Sequence, residues 1–451
     1  MKKNIILSVV CGMVAMASLT SCNDFLQVSA TNQKEMDKSF TTYDELRLAT
    51  AYLYMKPWFG FHSTRLFAMG DARGNNIYGD NNNETGYAPY CLFTDKPNTP
   101  GLADAWNSLY IVVTQADYII NDYAPQGRQH FSEAQANACE GEARFMRAAA
   151  YYYLASYWHD VPIMENPIAH TEAFNMAPTR FEDVIRYGIR DLEYAAEWLP
   201  LADADGRVTR YSALGLLARY YVTLAAYARG GHCTQATMDY YEASDLADIL
   251  YDLAKEAAGE VILAQNRYGL MEEYEEIFRV QNNNCKEVLF ALQPLQGVDS
   301  YGMGNSNGSG LCSYTELLNG LSAYNSSYVS YDCLRMLINS GGRSRLRGNV
   351  LCPGEFYDYI GTHLVDGGWA AGLETNRKVA FKKQVVGSAE DTNNIAIAGN
   401  SGFCTPMLRL AEVYLLYVEA CMGTSDELTD RDALKYYDDV RKRGYKMEIE
   451  S

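Results

Sequence analysis

From residue 132 to residue 264 the apolar side chains recur at the spacing of an α-helix, and proline or glycine marks most of the breaks. Phe181, Val184, Ile185, Ile189, Leu192, Ala196 and Leu199 show the pattern, one apolar stripe in steps of three and four. Pro178 and Pro200 bracket that run. Thr179, with Glu182 three residues on, forms a capping-box pattern that predicts the helix start. A chain made of such segments must stack them, because each stripe needs a neighbour to bury it.

Further helices are predicted along the chain. One covers 43–54 and is ended by Pro57; another covers 102–123. A third follows Ser132, with Gln135 as its capping partner, and runs through an Ala-rich stretch to a stop before Pro162. Others cover 211–229, closed by Gly230-Gly231, and 239–264. Thr405-Pro406 opens one that Gly423 ends, and a last helix runs from Asp430 to Arg443, stopped by Gly444. Starts near 179 and 212 lie about one tetratricopeptide repeat apart, although the consensus residues of that repeat are absent. The expected fold class is mostly α: a tetratricopeptide-like helix-pair scaffold with an irregular, loop-rich ligand lobe and few short strands. Glu287 to Gln293 alternates as one such strand.

Two regions break the helical period. Residues 70–101 are crowded with Gly, Asn and Asp, and residues 297–400 hold close to half of the chain's 35 glycines. Long irregular segments carried on a rigid frame are where binding sites usually lie.

The N-terminus reads as a lipoprotein signal. Lys2-Lys3 precede an apolar run from Ile5 to Ala17, too short to span a bilayer, and then Leu19-Thr20-Ser21-Cys22. Cleavage after Ser21 would leave a lipid-bearing Cys22, held at about 0.8 kcal/mol per buried methylene. The expected organisation is a signal peptide over 1–21, a tether over 22–42 and one domain over 43–451. In that domain a helical frame spans about 43–290 and 405–444, and the irregular lobe spans about 297–400. The formal net charge is −18, and loss of Lys2 and Lys3 with the signal makes it −20. That balance excludes nucleic acid, whose binding needs Lys and Arg to displace counterions. It also excludes lying flat on an anionic bilayer, so the lipid is the expected membrane contact. Of 11 cysteines, Cys11 and Cys22 belong to the signal region; the other nine are scattered, form no C-x-x-C pair and read as mostly free thiols.

No catalytic residue is assigned. Gly304-Asn305-Ser306-Asn307-Gly308 matches G-x-S-x-G, but a nucleophile elbow needs a buried strand before the Ser, and Asp299 to Met303 is not one. The six histidines show no metal-ligand spacing, and no metal or cofactor is assigned. The Asp/Asn cluster from Asp71 to Glu84 offers oxygen donors of the kind calcium takes, without EF-hand spacing. The basic runs 343–347 and 441–443 read as solvated faces.

Three stretches carry a family resemblance. Gly141 to Ala148 (GEARFMRA) continues through Tyr151-Tyr152-Tyr153-Leu154 to Trp158-His159-Asp160-Val161-Pro162-Ile163. Arg409 to Ala420 reads RLAEVYLLYVEA, and Tyr436 to Gly444 follows it. These resemble the hallmark segments of the SusD/RagB family of outer-membrane nutrient-binding lipoproteins, and Cys22-Asn23-Asp24-Phe25-Leu26 resembles its mature start. His159 stands where the family usually has Gly, and Asp439 where it has Asn. The family's further Arg-rich helix and Trp-containing tail have no counterpart before Ser451. The resemblance implies a non-catalytic surface protein that binds glycans or their fragments and partners a SusC-type TonB-dependent outer-membrane transporter. Some relatives take peptides instead, and a helical-repeat envelope adaptor without a small ligand is the remaining alternative. Glu142, Arg144, Arg147, Arg409 and Glu412, in the hallmark helices, are expected to hold helix pairs together.

A sugar site needs aromatic faces for C–H stacking and amide, carboxylate and Arg groups for hydroxyls. The first irregular region supplies Asp71, Arg73, Asn75, Asn76, Tyr78, Tyr87 and Tyr90, and the second supplies Tyr301, Tyr314, Tyr324 and Trp369. Most of the 36 tyrosines, and Trp106 at the start of a helix, read as packing.

Overall fold

Helix caps and small residues account for most of the frame seen in the computed structural model. It describes residues 40–63, 65–79, 87–167, 176–242, 245–297, 302–311, 327–364, 366–370, 379–395, 401–425 and 427–446. Cys22 and the tether up to residue 39 therefore lie outside the described residues. Helix α1 (Tyr43–Tyr52) starts at a capping box in which Thr42 accepts from the Glu45 N–H and Glu45 accepts from the Thr42 N–H. Helix α2 (Leu102–Tyr118) runs into a π-helical turn, Ile119–Tyr123. Helix α3 (Glu133–Trp158) is capped by Ser132, whose hydroxyl accepts from the Gln135 N–H. Helices α4 (Phe181–Trp198), α5 (Arg210–Arg229), α6 (Gln235–Tyr240) and α7 (Leu246–Leu263) follow. After the irregular lobe come α10 (Leu410–Met422) and α11 (Arg431–Tyr445).

The helices pack largely in chain order: α2 on α3, α3 on α4, α4 on α5, α5 on α7, α7 on α10 and α10 on α11. Small residues allow the close approaches. A Cβ at Gly188 of α4 would sit 2.4 Å from the Tyr220 ring of α5. Tyr220 also donates to the Ala148 carbonyl of α3 at 2.5 Å, so one ring ties three helices. The main core runs through this stack and includes Trp58, Phe61, Phe145, Tyr151 and Phe290.

Several expectations need correction. The predicted capping box at Thr179 does not form. Thr179 is engaged in a backbone bridge with Val161, the helix starts at Phe181, and the Asp160 carboxylate accepts from the Phe181 N–H at 2.9 Å. Glu182 instead accepts from the Thr234 N–H. The segment after Thr405 does not open a helix: Pro406–Arg409 is a strand, β6, paired antiparallel with β2 (Val288–Ala291). The predicted helix 239–264 divides into α6 and α7. Gly444 lies inside α11 rather than stopping it. The lobe is less irregular than expected, since it holds α8 (Tyr331–Asn339) and α9 (Arg343–Asn349). It also contributes β3 (Ser327–Val329), paired with β1 (Ile77–Gly79), and the pair β4 (Phe356–Tyr357) and β5 (Trp369–Ala370). The basic runs are not simply solvated. Arg347 pairs with Glu275 at 2.9 Å and Glu355 at 3.0 Å, and Arg443 is buried against Glu287.

The hallmark charges clamp the frame together. Arg147, in α3, donates to Asp117 of α2 at 2.6 Å and to both oxygens of Asp191 in α4 at 2.7 and 2.8 Å. Arg144 joins Glu140 and Asp191. Buried Glu142 accepts from Tyr54 and Arg207, each at 2.8 Å. Glu412 holds Arg219 of α5 at 2.6 and 2.8 Å, and Arg409 pairs with buried Glu287 at 2.7 Å. Such pairs inside a low-dielectric frame are costly to break singly.

Candidate functional site

Gly101 sets the start of α2, and through it the position of the site. Its φ is +82°, a conformation that suits glycine, and a Cβ there would collide with the Arg65 side chain at 1.9 Å. One turn into the helix, half-buried Trp106 meets Trp158, the last residue of α3. Their rings pack edge to face, with centroids 5.2 Å apart. Tyr157, beside Trp158, stacks on Tyr153 at 6.2 Å. On the other side, Arg73 follows a π-helical turn, Ala68–Ala72, and is held bidentately by Asp95 at 2.8 and 3.2 Å. The Arg73 guanidinium lies 4.9 Å from the Phe93 ring centroid. Phe93 is 68% exposed and has φ +55°, an unusual place for an aromatic residue.

Of these groups, Arg73, Asp95, Trp106, Tyr157 and Trp158 line a groove of about 550 Å³, together with Met69, Tyr90, Lys96, Pro97, Leu102 and Ala103. The wall combines flat apolar faces, a fixed guanidinium–carboxylate fork and an exposed lysine, Lys96. Walls of this chemistry suit a ligand with C–H faces and many hydroxyls. Burial raises the Tyr90 and Tyr157 hydroxyls above the usual phenol range, so both stay protonated as donors.

The predicted residues fall into three groups. Asp71, Arg73, Asn75, Asn76 and Tyr78 share one segment that is tied to the second irregular region. Asp71 accepts from Asn76 at 3.1 Å, Asn75 donates to Asp332 at 3.3 Å, and the Ser330 N–H donates to the Asn76 carbonyl at 2.9 Å. Of these, Arg73 lines the groove, and Tyr78 stands 47% exposed on β1. Tyr87, Tyr90 and Trp369 are corrected: they are 2%, 2% and 5% exposed, so they present no open platform. Tyr87 and Tyr90 are folded under their own loop into the main core. Trp369 belongs to a separate small core with Leu351, Tyr357 and Ile360 and does not line the groove. Tyr90 still edges the groove. Tyr301, Tyr314 and Tyr324 lie outside the described residues.

Trp106, Trp158, Asp95 and Tyr157 line the groove without being among the residues that the sequence points to. Trp106 both packs on the core and lines the groove, which the start-of-helix position alone does not reveal. A tryptophan directly after a Gly/Asn/Asp-rich loop was the available signal. Ser306 does not act as a nucleophile elbow: its hydroxyl is 3.0 Å from Ser63, and His62 bonds to Thr405 and Asn307 instead. Burial lowers His62 to about 4, leaving it neutral. Among the described residues no group of three His, Cys, Asp or Glu side chains could hold a metal; residues 80–86 of the Asp/Asn cluster are not among them. Among the described residues eight cysteines are free.

Comparison with known proteins agrees with this architecture. Residues 24–222 match a family described as starch-binding, associating with outer membrane, and residues 362–450 match the SusD family. A SusD-like protein of Bacteroides ovatus is 32% identical over 94% of this chain and 73% of its own length. A crystal structure determined with a xylogluco-oligosaccharide superposes with a TM-score of 0.77 at 29% identity, covering 89% of this chain and 76% of that one. Surface glycan-binding protein A of Bacteroides fluxus shares the fold, with a TM-score of 0.65 at 17% identity, over 90% of this chain and 82% of that one. The hallmark helices, the buried charge clamps and these matches give one conclusion: the chain belongs to the SusD/RagB family.

Proposed function

We propose that the protein binds a glycan without cleaving it and hands it to a SusC-type TonB-dependent transporter, from a lipid anchor at Cys22 in the outer membrane. The observation that carries the binding step is the groove itself, where Trp106 and Trp158 face the Arg73–Asp95 fork. A pyranose ring offers C–H faces to the indoles, and its hydroxyls pair with the fork. Because Asp95 already holds Arg73, little ordering entropy is lost when a hydroxyl binds. The structural neighbour solved with a xylogluco-oligosaccharide supports xylogluco-oligosaccharides as the first ligands to try.

Calorimetry against a panel of neutral oligosaccharides, headed by xylogluco-oligosaccharides, tests the binding step. Trp106→Ala should weaken the best ligand by about 30-fold, the effect of losing a central aromatic anchor worth about 2 kcal/mol. Affinity unchanged in that variant would move the ligand elsewhere. Co-purification of a β-barrel transporter with the lipidated protein tests delivery, and its loss in Cys22→Ala membranes would locate the anchor.

A further inference from the structure

A second cavity, of about 420 Å³, opens between α4, α6 and the connection that follows α3. It shares no lining residue with the groove. Its chemistry is different: Glu165, Asp183, Arg186, Tyr187, Arg190 and Tyr240 line it. Arg186 and Arg190 lie one turn apart on the same face of α4.

Arg186 is fixed in place. It donates to Asp183 at 3.2 Å and to Thr237 at 3.4 Å, and its guanidinium lies 4.2 Å from the Tyr240 ring centroid. Its Nε is nonetheless buried with no hydrogen-bond partner among the described residues. Buried donors are rarely left unpaired, and each such case calls for an explanation. Arg190 is exposed and makes neither an ion pair nor a hydrogen bond among the described residues; its guanidinium lies 5.5 Å from the Tyr187 ring centroid. In a chain of net charge −18, with carboxylates in large excess, a cavity that keeps one arginine unpaired and another with an orphaned N–H is unusual.

The remaining walls narrow the ligand. Tyr240, 54% exposed, offers a ring face, while buried Tyr187 backs the cavity. Glu165 and Asp183 bring two negative charges, which oppose a group that concentrates two charges at one point, such as a phosphate dianion, and accept from hydroxyls. A sugar unit with one carboxylate, a C–H face and several hydroxyls satisfies all of them. We propose that this cavity is a second binding site, specific for a sugar carrying a single carboxylate, that is, a uronic acid. The carboxylate would bind the Arg186–Arg190 pair and the ring would lie against Tyr240. The inference extends the glycan-binding reading to an acidic sugar class at a separate place on the frame.

The test is calorimetry with digalacturonate and, as the neutral control, cellobiose. The wild-type protein should bind digalacturonate, and the affinity should fall as salt is raised. Arg190→Ala should weaken it by about tenfold to a hundredfold, the effect of losing a charge-assisted contact. Arg190→Lys should recover only part, because lysine keeps the charge and loses the planar fork. Trp106→Ala should leave digalacturonate binding unchanged, and Arg190→Ala should leave neutral-glycan binding in the groove unchanged. Tyr240→Ala gives an independent variant at an exposed position and should also weaken digalacturonate. The proposal is overturned if digalacturonate does not bind, if Arg190→Ala and Tyr240→Ala bind it as wild type does, or if Trp106→Ala abolishes it. Failure of the neutral panel with retention of Arg190-dependent digalacturonate binding would sink the groove assignment and leave this site standing.

Discussion

Replacing Arg147 with methionine should be among the most damaging single changes to the frame. The side chain is 4% exposed and donates three charge-assisted hydrogen bonds, one to Asp117 and two to Asp191. It also lies 4.9 Å from the Tyr187 ring centroid. Methionine fills much of the space but strands two carboxylates in an interior where one Asp117 oxygen has no partner among the described residues. Breaking a buried pair from one side costs about 3–5 kcal/mol. The loss should depend on pH, with a definite sign. Burial raises Asp117 to about 7 even while Arg147 pulls it down. A carboxyl raised in the folded state holds its proton better there than in the unfolded chain. Its contribution therefore falls as pH rises from about 4, its unfolded value, to about 7. Removing Arg147 raises it further, so the variant's deficit should be larger at pH 8 than at pH 5, by at least about 1 kcal/mol. Urea denaturation of both proteins at the two pH values measures this. A deficit under about 1 kcal/mol, or one equal at both pH values, would refute the reasoning that Arg147 neutralises buried charge.

Two further substitutions probe the local geometry. His159 closes α3 with φ +66° and ψ −93°, backbone that disfavours any Cβ, while its ring stacks on Phe181 at 4.9 Å. His159→Gly should therefore be more stable than His159→Ala by about 1–2 kcal/mol in thermal or urea unfolding, because only glycine relieves the strain once the stacking is lost; equal stabilities would contradict it. Gly188→Ala should lose about 1–3 kcal/mol by forcing the Tyr220 ring off α4, and a neutral result in the same assay would mean that the helices separate freely.

What the sequence made legible was what local chemistry decides. Ser132 with Gln135, the Pro178–Pro200 bracket and the three- and four-residue apolar steps placed the long helices nearly to the residue. What it hid depends on partners distant in the chain. Pro406–Arg409 is a strand because Val288–Ala291 lies beside it, more than a hundred residues earlier. Thr179 looks like a cap, but its backbone is engaged by Val161 and the capping role passes to Asp160. The site was half legible. Of the residues singled out in the 70–101 loop, Arg73 lines the groove, whereas Tyr87 and Tyr90 are buried. No periodicity in a loop says which aromatic ring faces water. Trp106 had the opposite problem, since a helical position reads as packing even when part of the side chain lines a groove. Arg443 and Arg347 show the same limit for charge: a run of basic residues looks solvated until a distant Glu287 or Glu275 is brought to it.

The central claim is that the Trp106–Trp158 groove holds the glycan. A crystal structure of the protein soaked with the tightest-binding oligosaccharide of the panel tests it most directly. The account predicts a sugar ring against the Trp106 and Trp158 indoles, with a hydroxyl on the Arg73–Asp95 fork. A well-ordered oligosaccharide bound elsewhere, with the groove empty, would contradict it.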